Sequence, residues 1–164
     1  VVRIRLLQRI LALGILVAYT LAVIQLGLRS RWAQRLNQEL PLLPIPAVTL
    51  SGDTVMILPD GIHWTLLLAL PEPLYAQPRR VEGLLDSLRL LRVDTLPVLH
   101  VALLAPGIAL PERYRADTLR QDTTLWVGYD RFRWMSRQLG VRNEPVLFYL
   151  DPSGVPRRVM ILPR

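Results

Sequence analysis

The chain has 164 residues and a formal charge of +7, and all 20 of its basic side chains are arginine. It contains no cysteine, which excludes disulfides, thiolate metal sites, haem attachment through CxxCH and thiol nucleophiles. About half of the residues are apolar (51%), enough for a real core and too many for a disordered chain, and the length suits one ordinary domain plus an anchor.

Residues 1–9 form a basic N-terminal segment with Arg3, Arg5 and Arg9. Ile10 to Leu28 then reads ILALGILVAYTLAVIQLGL, with no charge in 19 positions. At 1.5 Å per residue it reaches about 28 Å, close to the ~30 Å hydrocarbon core of a bilayer. A single transmembrane helix is expected over 10–28. The run exceeds the ~7–15 apolar residues of a signal peptide, and GLRSRWAQ offers no small-residue cleavage site. Arg9, Arg29, Arg31, Trp32 and Arg35 are placed to meet lipid headgroups at the two interfaces. Arginines flank the run equally, so charge leaves orientation open. Gly14, Ala18 and Ala22 recur every fourth residue, with Gln25 on the same side. Small residues admit a second helix and an amide can hydrogen-bond across the contact, so this face predicts packing on another membrane-protein subunit.

Residues 29–46 read as a juxtamembrane segment and a stiff spacer punctuated by Pro41, Pro44 and Pro46. The folded domain is expected over 47–164. AVTLSGDTVMILPDG alternates and turns at Ser51-Gly52-Asp53, a β-hairpin. WTLLLAL (64–70) is a strand buried on both faces. PEPLYAQP is a proline-broken loop. Pro78 to Arg92 is an amphipathic helix with Val81, Leu84, Leu85, Leu88 and Leu91 on one side. VLHVALL (98–104) is a second buried strand, and Pro111 opens a short helix through Arg120. TTLWV (123–127) is a third strand. Asp130 caps a helix ending at Gly140 with Phe132, Met135 and Leu139 inward. VLFYL, the turn Asp151-Pro152-Ser153-Gly154 and VPRRVMIL complete the order. Strand–helix alternation with apolar strands argues an α/β sandwich, its sheet parallel at the centre and antiparallel at the edge.

Three stretches then carry a resemblance: IPAVTLSGDTVMI, WTLLLALPEP before a helix, and FRWMSRQLGVRNEPVLFYLDPSG. The chain resembles the membrane-anchored thioredoxin-like proteins of the TlpA/ResA/MauD type, tethered thiol-disulfide oxidoreductases that act in cytochrome c or amine dehydrogenase maturation. The resemblance covers roughly Ile45 to Leu162 and implies a thioredoxin-like mixed sheet with flanking helices. It implies that Pro145 is a cis-proline facing the active-site loop, and that the domain lies on the exoplasmic, periplasmic-type side. The chain departs from the family where a CxxC should open the first long helix. Glu72, Pro73, Leu74, Tyr75, Ala76 and Gln77 occupy that loop, and none can form a thiolate. The chain also stops ten residues after Gly154, short of a terminal helix, so part of one sheet face is expected to lie open to a partner or to the spacer.

No catalytic, cofactor or metal residue stands out. His63 and His100 lack an acid or a second histidine two to four residues on, and His100 reads as a hydrogen-bonded structural residue. Glu82 and Asp86 with Arg79 and Arg89 read as a solvated salt-bridge face. Trp126, Phe132 and Trp134 read as core or interface anchors. There is no arginine–aromatic stripe of the kind that tracks nucleic acid. The expected function is that of a redox-inactive, membrane-anchored, thioredoxin-like accessory or structural subunit that acts by docking and is not an enzyme. The alternative is an assembly or maturation factor, for example for cytochromes, that binds clients without cysteines of its own, with Glu72, Tyr75 and Glu144 as its groove residues.

Overall fold

The computed structural model describes residues 19–20, 40–119 and 125–162. The chain divides into two units, residues 1–38 and 39–164. In the first, Tyr19 and Thr20 are helical. The helix-packing face at Gly14, Ala18, Ala22 and Gln25, and the interface residues Arg9, Arg29, Arg31, Trp32 and Arg35, lie outside the described residues. Among the described residues no helix is long and apolar enough to cross a membrane.

The second unit is built on one sheet of seven strands. Its axis is β3 (Trp64–Leu70), apolar throughout except Thr65 and buried from Thr65 to Leu70. It pairs in parallel with β4 (Val98–Leu104) and antiparallel with β6 (Val146–Leu150). Helix α1 (Pro78–Leu90) makes the crossover from β3 to β4. Pro78 opens it at a position that needs no N–H, and Val81, Leu85 and Leu88 are its buried stripe. Burial of each such side chain is worth about 1.5–3 kcal/mol. Helix α2 (Glu112–Leu119) follows β4, and β5 (Trp126–Tyr129) pairs in parallel with β4. The hairpin of β6 with β7 (Pro156–Ile161) closes one edge. The hairpin of β1 (Ile45–Val48) with β2 (Thr54–Ile57) forms the other. The sheet order is β2-β1-β5-β4-β3-β6-β7. A parallel strand–helix–strand unit beside an antiparallel hairpin, in the order β4-β3-β6-β7, fits the thioredoxin-like fold.

The supposed spacer is partly inside the fold. Leu42, Leu43 and Ile45 are buried, and β1 begins two residues before the expected boundary at Ala47. The prolines 41, 44 and 46 alternate with large apolar side chains, so the segment has a face to bury. Leu42 N–H donates to the Gly154 carbonyl at 2.8 Å. A Cβ at Gly154 would sit 2.9 Å from the Leu43 Cβ. The segment therefore lies on the β6–β7 turn. Strand β6 is correspondingly covered, with Val146, Leu147, Phe148 and Leu150 all buried. The open face expected there is reduced to β7, where Ile161 is exposed.

Three further expectations are corrected. The bond before Pro145 is trans; among the described residues the cis peptide is Leu43–Pro44. Trans is the favoured isomer of an X–Pro bond, and Pro145 meets the sheet in that form, accepting from Leu162 N–H at 2.9 Å. The third strand, expected over 123–127, is Trp126–Tyr129 with Leu125 outside it, and Thr123 and Thr124 lie outside the described residues. The helix expected over 130–139 is a single wide turn, Met135–Leu139, because Arg133 adopts φ 53° and breaks the run. Met135 and Leu139 are buried as expected, whereas Phe132 is exposed.

Polar side chains tie the surface elements down. His100 is buried in β4 and its Nε2 lies 3.0 Å from the Leu91 carbonyl, beyond the end of α1. Asp151 Oδ1 accepts from the N–H of Ser153 and Val155, each at 3.0 Å, and Oδ2 accepts from Arg157 Nε at 2.8 Å. Burial works to raise the Asp151 pKa, but these donors outweigh it and hold the carboxyl below its ordinary value. Glu82 and Asp86 do pair with arginine, but across to α2: Arg113 reaches Glu82 at 3.1 Å and also bonds Asp86. Tyr114, buried, donates its hydroxyl to the same Asp86 carboxylate. The Tyr114 and Arg113 donors hold Asp86 below 3.8. Burial first, and the bond to Asp86 second, push Tyr114 from 10.0 up to about 12.

Two outcomes follow. Gly154, at φ +81° with Leu43 against it, should tolerate no side chain, whereas Gly83 in α1 has open space where a Cβ would go. In urea melts Gly154→Ala should cost about 1–3 kcal/mol, and Gly83→Ala should gain about 0.5–1 kcal/mol. The α1–α2 clasp should show in the pH dependence of stability. A lowered carboxyl contributes above its ordinary 3.8, and the contribution fades as pH falls through the folded value. A raised phenol contributes below 10.0 and loses its contribution as pH rises through about 12. Asp86→Asn should flatten the acid limb of stability against pH, and Tyr114→Phe the alkaline limb.

Candidate functional site

Strands β3, β4 and β5 run in parallel and end at one edge. The edge is stepped by hydrogen bonds that continue past the strands: Ala105 N–H to the Leu70 carbonyl at 2.9 Å, and Asp130 N–H to the Leu104 carbonyl at 2.8 Å. Pro71, Ala105 and Asp130 are thus set at the carboxyl ends of three neighbouring strands. That is where open α/β sheets hold ligands. A cleft of about 480 Å³ lies there, with Pro71, Glu72, Ala105 and Pro106 on one wall. The other wall comes from Asp130 to Arg142. A second cleft of about 420 Å³ adds Pro73, Tyr75, Gly107 and Asn143, and shares Glu72, Pro106 and Arg142 with the first.

The loop after β3, where the resemblance leads one to expect a CxxC, is one 3-10 turn, Glu72–Ala76. Leu74 N–H donates to the Pro71 carbonyl at 3.1 Å, Gln77 N–H donates to the Leu74 carbonyl at 2.9 Å, and the Leu74 side chain is buried. Leu74 therefore plugs the core while its neighbours face outward. Glu72 borders both clefts, and Pro73 and Tyr75 border the second. Tyr75 is 68% exposed. Ala76 lines neither cleft. Gln77 serves the helix instead, its carbonyl accepting from Arg80 and Val81 N–H at 3.0 and 3.1 Å. Pro145 is buried at the foot of β6, and neither it nor Glu144 lines a cleft.

The opposite wall reads in the sequence as a helix capped by Asp130, and its arginines do not stand out there as site residues. Asp130, buried, accepts from Trp134 N–H at 2.8 Å and Met135 N–H at 2.7 Å. Both carboxylate oxygens are committed to starting the 135–139 turn, so Asp130 is an anchor of that wall. Arg137 N–H donates to the Arg133 carbonyl at 3.0 Å, which closes the backbone between the two arginines. Gly140, at φ 67°, ends the turn and releases the chain toward Arg142. Arg133, Arg137 and Arg142 all line the first cleft. Buried Ala105, Met135 and Val141 supply its apolar surface. Among the described residues the ion pairs are made by other groups, so the cleft gathers three guanidiniums, Arg133, Arg137 and Arg142, with two carboxylates, Glu72 and Asp130. The only hint in the sequence is the i, i+4 spacing of arginine in FRWMSRQLG. The cleft offers charge and shape, and no thiol.

No protein-family model and no curated protein matches the chain. Among solved structures it is similar to the exposed lipoprotein thioredoxin Etrx1 of Streptococcus pneumoniae strain TIGR4, with 14% identity over 72% of this chain and 88% of that one and a TM-score of 0.49. StoA from Bacillus subtilis gives 16%, 74%, 90% and 0.43. BsSco, a member of the Sco family of cytochrome c oxidase assembly proteins, gives 10%, 74%, 82% and 0.49. Likeness at this level carries no argument about activity, and the fold assignment rests on strand order and register.

The anchor role of Asp130 has a direct readout. Asp130→Ala strands two N–H groups in a buried site and should cost about 1–3 kcal/mol in a urea melt. Asp130→Asn keeps one acceptor oxygen and should lose less than the alanine variant. Equal losses would show that the two hydrogen bonds do not hold the wall.

Proposed function

We propose that this protein is a redox-inactive, thioredoxin-like docking subunit, tethered by residues 10–28 and presenting its soluble domain on the exoplasmic side of a membrane. The reading rests on one observation above the rest. Where the related architecture would place a reactive dithiol, this chain has a plugged turn, Glu72–Ala76, beside a formed cleft. A shaped recess without a thiol binds partners and cannot exchange disulfides with them. The apolar run over 10–28, with Gly14, Ala18, Ala22 and Gln25 on one side, supports a second contact through a helix.

The test is native mass spectrometry of the full chain extracted in detergent from its own membrane. A stoichiometric set of partner subunits is the expected result. Gly14→Leu with Ala18→Leu should lower their recovery while leaving membrane insertion intact. Transient capture of maturing clients would favour an assembly factor that works without its own cysteines. A monomer with no partner would overturn the docking reading, and reduction of insulin by the purified chain above buffer would overturn redox inactivity.

A further inference from the structure

The first cleft carries more information than its position. Its lining carries three guanidiniums, Arg133, Arg137 and Arg142, against two carboxylates, and of these Asp130 directs both oxygens to backbone N–H groups while Glu72 stands at the junction with the second cleft. Arginines held together cost electrostatic energy unless an anion joins them. Planar guanidinium groups match carboxylate oxygens in pairs. Exposed arginines elsewhere, such as Arg79 and Arg115, line neither cleft.

The shape narrows the choice of anion. A compact ion would need the arginine cleft alone. Here a second cleft continues from the first through Glu72, Pro106 and Arg142, and presents Pro73, Tyr75 and Asn143 with no further cation. An extended ligand, acidic at one end and apolar or aromatic-compatible at the other, uses both.

We propose that the two clefts together hold an acidic segment of a partner protein, its Asp or Glu carboxylates gripped by Arg133, Arg137 and Arg142 and its flanking residues lying on Pro73 and Tyr75. Glu72 sits at the junction and opposes the ligand's charge, which limits affinity and keeps the contact sensitive to ionic strength. The inference rests on the docking reading above and names the chemistry of the partner.

The experiment titrates full-length protein in detergent with a synthetic twelve-residue peptide carrying four glutamates among apolar residues. The comparison probes are its glutamine counterpart and inorganic phosphate. The acidic peptide should bind at least about tenfold tighter than either. Removing the charges together, as Arg133→Gln, Arg137→Gln and Arg142→Gln, should lose about tenfold or more. The same number removed at Arg79, Arg115 and Arg158 should change affinity by less than about threefold. Glu72→Gln should tighten binding by about threefold. Thermal melts of each variant report whether the fold is intact, and the single variants, each expected to lose about threefold, replace the triple variant if it unfolds. Equal binding of the glutamine peptide, equal loss in the two triple variants, or phosphate binding as tightly as the acidic peptide would each overturn the proposal. A partner complex in native mass spectrometry that survives loss of the three cleft arginines would also overturn it, and would leave the docking reading standing.

Discussion

Everything at the working edge of this domain depends on the backbone of β3 being committed on both sides. It pairs with β4 at seven positions in parallel and with β6 at five antiparallel, and it is buried on both faces. A slip of one residue would break two ladders and bring Thr65 into a new apolar layer. The ladder therefore fixes where β3 stops, and Pro71 stops it. The hydrogen bonds from Ala105 to Leu70 and from Asp130 to Leu104 carry that constraint outward. The cleft is thus positioned by the sheet itself, with little left to the loops.

The loop Glu72–Ala76 helps to hold that edge. Here the central residue, Leu74, turns inward and is buried, so the loop contributes to the core and loses freedom. Pro71 and Pro73 reinforce this by fixing φ on either side of Glu72. A rigid wall suits recognition, since little conformational entropy is lost when a ligand docks against it. The same logic applies across the cleft, where Asp130 bonds two consecutive N–H groups and Gly140 turns the chain back toward Val141.

The strands were the legible part of the sequence. WTLLLAL, VLHVALL and VLFYL are dense apolar runs that only a buried strand of that length accommodates, and all three fall where their patterns put them. The α1 stripe was legible for the same reason. Prolines misled at the N-terminal side: PLLPIP reads as a spacer on proline spacing, yet Leu42, Leu43 and Ile45 supply the burial that draws it onto Gly154. FRWMSRQLG has helical periodicity, but the conformation of Arg133 limits it to one turn, and no local pattern announces a non-glycine residue at φ 53°. The cis bond at Pro145 came from resemblance alone, and the structure does not share it. The arginine wall was hidden because its members come from two segments, and because arginine is so common in this chain that no single one stands out.

That abundance makes the disposition of the charges the informative quantity. Where arginine serves the fold, it is matched: Arg113 between Glu82 and Asp86, and Arg157 on Asp151. These pairs join α1 to α2 and the β6–β7 turn to β7, and their worth is the geometry they fix, since partly exposed ion pairs contribute only about 0–1 kcal/mol. Arg133, Arg137 and Arg142 line the same cleft as Asp130, a carboxylate that could have paired with one of them. Its oxygens are bound to backbone N–H groups instead. The chain thus uses the nearest anion to build the wall and leaves the wall's cations facing the cleft. Capping two N–H groups with one carboxylate serves stability by itself, since an ion pair with an exposed guanidinium would contribute little. The distribution of charge, more than its amount, is what sets this edge of the sheet apart from the rest of the surface.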